Sequence, residues 1–160
     1  TEANSFEDFK NQTRIIIGGP GAKKIKQMFR KPFPNIPIVV TRSKTAEMVK
    51  YFTNCFLASK VIFANQMYDI CDKSDIDYDK VCEYALLDQR IGKSHLAVPG
   101  PDGDLGYGGH CFPKDISALI HYANNFDIDT DFLSQVRKSN QAYRKNLDWL
   151  EMTGRAVSKD

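Results

Sequence analysis

Residues 44–73 place the first constraint on what this chain can fold into. Apolar side chains recur there at helical spacing, so one long helix is expected, with Ser43 as its N-cap. The apolar positions do not keep to one stripe. Val49, Phe52, Phe56 and Leu57 are followed by Val61, Ile62, Phe63, Ala64, Met67 and Ile70. Such a helix spans about 45 Å and, being apolar nearly all round, must be covered on more than one side. Further helices expected over 113–125 and 131–152, the latter stopped by Gly154, can cover one side. Phe52, Phe56 and Phe63 then need another partner. A second copy packed about a two-fold axis would bury them self-complementarily, so a homodimer is expected.

The remaining segments are short. Residues 14–18 form a β-branched run that reads as a buried strand, and 22–30 a short helix carrying Ile25, Met28 and Phe29. Residues 36–41 make a second apolar strand after the turn marked by Pro32 and Pro34. Strand, helix and strand of this length fit one βαβ crossover, the last of a parallel sheet that needs more strands beside it. A helix over 77–87, capped by Asp77, leads into an irregular stretch over 88–112 rich in Gly, Pro and Asp. Loops of that length are usually functional. The expected fold is therefore mainly α, a helical domain built on one long helix and preceded by a terminal βαβ piece.

Charge and cysteine usage exclude several classes. Lys and Arg number 22 against 20 Asp and Glu, with no basic stripe, which argues against nucleic acid. No apolar run reaches membrane-spanning length and no signal sequence is recognisable. Cys55, Cys71, Cys82 and Cys111 show no paired spacing, and His95, His110 and His121 share no ligand spacing. No metal site is expected, and the chain reads as reduced and cytoplasmic.

The chemistry concentrates in residues 105–115, LGYGGHCFPKD. Pro113 suits the first turn of a helix, and Asp115 in that turn would complement the dipole. Cys111 would stand just outside the helix N-terminus with Lys114 nearby, two features that favour thiolate over thiol. Gly108-Gly109 would let the backbone approach a bulky ligand. Together these suit a cysteine nucleophile beneath a substrate-cradling loop. Lys50 and Asn54 stand four apart on one helix face, where a desolvated ammonium beside an amide could hold a developing oxyanion.

The string Gly106-Tyr107-Gly108-Gly109-His110-Cys111-Phe112-Pro113-Lys114-Asp115 resembles the active-site signature of the UDP-glucose/GDP-mannose 6-dehydrogenase family. Thr1-Glu2 and residues 9–19, the Lys50-to-Asn54 segment and Asp88-Gln89-Arg90-Ile91-Gly92 are similar to further segments of that family. The resemblance implies that residues 1–42 are the end of a Rossmann-like NAD-binding domain, and 43–160 the central substrate-binding and dimerisation domain. It implies a four-electron oxidation of a nucleotide-sugar 6-hydroxyl to the uronic acid, with NAD as acceptor and UDP-glucose the favoured substrate. Cys111 would carry the thiohemiacetal and thioester; Lys50 and Asn54 would contact the sugar and polarise the reacting oxygen. Asp115 and Glu2 would serve the hydrolytic half, and Lys114 and Glu2 the dinucleotide. Arg90 would reach the partner subunit's substrate, while Leu105, Tyr107 and Gly108 would line the sugar site.

No G-x-G-x-x-G fingerprint occurs, and Gly18-Gly19-Pro20-Gly21 has the wrong spacing. The chain is thus expected to be a fragment without the NAD-binding half, inactive alone. Two rivals remain: a cysteine hydrolase or acyltransferase, for which His110 is badly placed as a base, and a non-catalytic helical dimerisation module.

Overall fold

A computed structural model describes residues 5–152. It divides into two compact units, Thr1–Lys50 and Tyr51–Asp160. The first holds the predicted crossover. Strand β1 (Ile15–Gly18) pairs in parallel with β2 (Ile38–Thr41), in the register Ile15 to Ile38 through Gly18 to Thr41. Helix α2 (Ala22–Arg30) connects them. The core is wholly apolar: Ile15, Ile17, Ala22 and Ile38, flanked by Phe29, Phe33 and Ile36. Arg30 ties the returning loop, donating to the carbonyls of Pro34 and Ile36 at 3.0 Å each. A short helix α1 (Ser5–Lys10), which no sequence pattern predicted, sets Phe9 edge-on against Phe33 at 5.4 Å.

The long helix α3 (Ser43–Lys73) matches its expected length, but Ser43 is its first residue rather than its cap. Ala46 N–H already donates to the Arg42 carbonyl, which moves the boundary back by one. At its far end the Ile76 N–H donates to the Cys71 carbonyl across Asp75, which holds φ 55°. This is a left-handed stop that needs no glycine. Helix α4 (Tyr78–Ala85) is shorter than predicted and is capped as expected, the Asp77 carboxylate accepting from Lys80 N–H.

Two corrections concern the helices around the site. Helix α5 spans Cys111–Asn124, so Cys111 is its first residue and Asp115 lies in its second turn. The Lys114 N–H reaches the His110 carbonyl and draws Cys111 and Phe112 into the helix. Helix α6 spans Asp131–Tyr143 and stops well short of residue 152. Arg144 turns extended (φ −79°, ψ 120°) and its guanidinium is buried, and the chain resumes as a single 3₁₀ turn over Asp148–Glu151. A buried ionic contact thus overrides a helical pattern that continues in the sequence. Gly154 lies outside the described residues.

The core of the second unit joins Cys55, Ala58 and Ile62 of α3 to Tyr107, to Ile116 and Ile120 of α5, and to Val136 of α6. A second cluster gathers Ala64, Cys71 and Tyr78, with Leu96 and Val98 packed on it. Among the described residues no helix is long and apolar enough to cross a membrane.

Candidate active site

Cys111 is exposed at the start of α5. Four residues on, and therefore on the same helical face, Asp115 is fully buried. A buried carboxylate is tolerable only when its oxygens are satisfied. Oδ2 accepts from Asn54 Nδ2 at 2.5 Å, and Oδ1 pairs with the Lys114 ammonium. The structure therefore brings Asn54, Lys114 and Asp115 together beside the Cys111 helix turn. It also gives Asn54 a task the sequence did not reveal, since one of its N–H donors is committed to Asp115. The next residue of α3, Cys55, is buried in the core. Burial, and secondarily the Asp115 charge, push its thiol up to about 11.

His110 is better placed than the sequence suggested. Its Nε2 lies 3.5 Å from Cys111 Sγ, close enough for an imidazole–thiol contact. On the other flank, Phe112 packs edge-on against Tyr107 at 5.8 Å and meets the His95 ring at 5.7 Å. Burial, then the nearby Lys60 charge, lower the proton affinity of His95.

The irregular segment before Cys111 is fixed by side chains from distant parts of the unit. Lys60 Nζ donates to the carbonyls of Gly92 and Ser94 at 2.6 Å each. Tyr78 OH donates to the Leu96 carbonyl at 2.8 Å. Asn65 Oδ1 accepts from Gly106 N–H at 3.1 Å. Asn140 binds both backbone groups of Tyr107, accepting from N–H at 2.7 Å and donating to C=O at 3.0 Å. Asp148 Oδ2 accepts from Gly109 N–H at 2.9 Å. Sequence reasoning missed Asn65, Asn140 and Asp148. Asn65 and Asn140 carried a usable signal, because each lies on an apolar helical face (with Ile62 and Val136), where an amide must find a buried partner.

The other predicted residues are more dispersed. Tyr107 has its ring in the core, with a hydroxyl that is buried and lacks a hydrogen-bond partner. Leu105 is half-buried, its N–H bound to Asp104 Oδ1 at 2.9 Å. Lys50, one helical turn before Asn54, is exposed, contrary to the desolvated ammonium expected there. Arg90 is exposed and paired with Asp88 at 2.6 Å. It borders an open, mainly apolar cavity of about 870 Å³ that Phe52, Phe56, Phe63, Phe132 and Val136 also line and that does not include Cys111. Phe52, Phe56 and Phe63 are 72%, 58% and 61% exposed. Glu2 lies outside the described residues. Gly18 is a packing glycine rather than part of a phosphate cradle: a Cβ there would meet Ser43 Cα at 2.8 Å and Ala46 Cβ at 2.9 Å.

Comparison with known proteins gives a consistent result. Residues 44–142 match the profile of the UDP-glucose/GDP-mannose dehydrogenase family, central domain. A UDP-glucose 6-dehydrogenase of Rickettsia conorii is 40% identical over 149 residues, covering 91% of this chain and 33% of that protein. One from Bacillus subtilis is 39% identical over 142 residues, covering 87% and 31%. The solved structure of a UDP-glucose dehydrogenase from Pyrobaculum islandicum superimposes with TM-score 0.72 at 32% identity, over 85% of this chain and 31% of that one. The chain spans about a third of the length of the curated relatives it matches.

Proposed function

The chain belongs to the UDP-glucose/GDP-mannose dehydrogenase family, and from that membership we infer that it is the central part of a nucleotide-sugar 6-dehydrogenase, with UDP-glucose as substrate. The reaction oxidises the sugar's primary alcohol to the carboxylate in two hydride removals, for which NAD supplies the acceptor. The dinucleotide is held chiefly by the NAD-binding domain of which residues 1–42 are the end, and Lys114 and Glu2 are the residues of this chain assigned to it.

The chain's own residues do the rest. Cys111 Sγ adds to the aldehyde and forms a thiohemiacetal, and loss of hydride from that carbon leaves a thioester. Water cleaves the thioester, releasing the uronic acid and the thiol. A sulfur suits both halves, because a thioester forms by hydride loss and still hydrolyses readily. Lys50 and the remaining amide capacity of Asn54 hold the reacting oxygen. Asp115, with Glu2, orders the hydrolytic water. The observation that carries this reading is the exposed Cys111 at the head of α5, one helical turn from a buried Asp115 fixed by Asn54 and Lys114.

The exposed Phe52, Phe56 and Phe63 beside the apolar cavity support a homodimer built on α3, with Arg90 at its edge serving the partner's substrate. Sedimentation should show a dimer; a monodisperse monomer at tens of micromolar would remove both claims. In the complete enzyme, Cys111→Ser should bind the nucleotide sugar yet yield no uronate, and wild-type output would overturn the nucleophile. The 160-residue chain by itself should form no NADH. The His110 contact favours one second reading, a thiol hydrolase. Turnover of a simple thioester by this chain, abolished by His110→Ala, would select it.

A further inference from the structure

The three glycines of the motif do not face the same way. At Gly109 an added Cβ would meet nothing within 4 Å, and the residue holds φ +68°. At Gly106 it would meet Asn140 Oδ1 at 2.5 Å, and at Gly108 it would strike Arg144 Nη2, with Arg144 Cζ at 2.5 Å and Asp148 Oδ1 at 2.8 Å. Gly106 and Gly108 are therefore required by what lies beneath the loop, and Gly109 alone presents an open face.

The group beneath Gly108 is unusual. The Arg144 side chain is only 4% exposed and faces three carboxylates. Nη1 donates to Asp102 at 2.7 Å, and Nε donates to the Asn146 carbonyl at 2.9 Å. Asp104 lies 3.6 Å from Nε and Asp148 3.7 Å from Nη2. Asp148 Oδ1 is buried and has no hydrogen-bond partner among the described residues, the Arg144 cation facing it from 3.7 Å. The same carboxylate holds Gly109 N–H through its other oxygen. A buried charge held on several sides stays in place, so the fork cannot move aside for a Cβ.

We propose that Arg144 is the positioning residue of the glycine loop: it clamps carboxylates on both sides of residues 105–109 and, through Asp148, fixes the Gly108-Gly109 backbone that leads into Cys111. It touches no reacting atom. Its importance for catalysis rests on the dehydrogenase reading above; its hold on the loop does not.

The test has two arms. In this chain, Arg144→Lys keeps the charge but loses the fork, and Asp148→Asn keeps an acceptor for Gly109 but loses the charge. Each should raise hydrogen exchange at the Gly109 amide by about tenfold, the loss expected for one hydrogen bond to a charged group. Exchange at Ile116, Ile120 and Val136 should not change. Acceleration spread evenly over those core amides, or an unchanged Gly109, would overturn the proposal; if Arg144→Lys does not fold, Asp148→Asn decides. In the complete enzyme both variants should raise KM for UDP-glucose about tenfold with kcat less affected, a signature of lost ground-state binding. Gly108→Ala should be costly in the parent and clearly less costly in the Arg144→Lys background, because the guanidinium atoms it strikes are gone and only Asp148 Oδ1, 2.8 Å away, remains. Equal costs in both backgrounds would refute the clamp. Loop exchange that responds as stated in an enzyme with no uronate output would instead refute the dehydrogenase reading and leave the clamp standing.

Discussion

The β1–α2–β2 crossover and the irregular segment over residues 88–110 are both short, yet they are held by different means. The first has a wholly apolar interior, Ile15, Ile17, Ala22 and Ile38 closing on Phe29, Phe33 and Ile36, with the β1–β2 ladder and Arg30 binding its backbone. In the second, Leu96, Val98 and Tyr107 pack on the helices, but the backbone is positioned by distant polar side chains, namely Lys60, Asn65, Tyr78, Asn140 and Asp148, and the Asp102 carboxylate is held by Arg144. Apolar packing is non-directional and tolerates small shifts. Hydrogen bonds at 2.6 to 3.1 Å specify position, which a loop needs if its backbone is to meet a ligand. A polar frame is also less forgiving where it is buried, since removing Asn65 or Asn140 leaves a buried backbone group unpaired.

The largest effect should come from breaking the polar frame. Asn140→Ala strands both backbone groups of Tyr107 and should cost about 3–5 kcal/mol by urea titration, two unmet groups plus lost packing. In the apolar unit, Ile17→Ala should cost about 2–4 kcal/mol, the range for a buried aliphatic truncation. If Ile17→Ala proves the costlier, the contrast between the two regions fails. Lys60→Met should cost about 1–2 kcal/mol through the freed carbonyls of Gly92 and Ser94, and it carries a pH signature. His95 binds protons less readily folded than its ordinary 6.5, so the unfolded chain takes up more protons and stability falls as pH drops through that value. Removing the Lys60 charge should move the His95 titration upward by NMR and shallow the fall. Smallest, Asp77→Ala should cost about 1 kcal/mol, a lost helix cap remote from both frames.

The same contrast explains what the sequence disclosed. The β1–α2–β2 crossover and α3 were legible because periodic apolar residues report burial directly, and the Cys111 motif because its residue types are seldom assembled otherwise. What stayed hidden were the partners of that motif. Nothing local marks Asn54 as the donor to Asp115, or Arg144 as the residue under Gly108, since each meets its partner from a different element. The end of α6 was misplaced for the same reason: the helical pattern continues past Tyr143, and only the carboxylates around the buried Arg144 side chain mark where the backbone turns aside.

The spacing of those polar contacts along the chain bears on the order of folding. Gly106 meets a side chain 41 residues earlier, while Tyr107, Gly109 and Asp102 meet side chains 33, 39 and 42 residues away. Contacts of such long range form after local ones, because chain closure must precede their reward. Helices α3 and α5 can therefore each form while the glycine loop is still loose, and the loop sets only when Asn140, Arg144 and Asp148 arrive. During synthesis the ribosome must deliver residue 148 before the surroundings of Cys111 acquire their final shape. The turn that leads into Cys111 is thus completed only after residues that follow it by more than thirty positions.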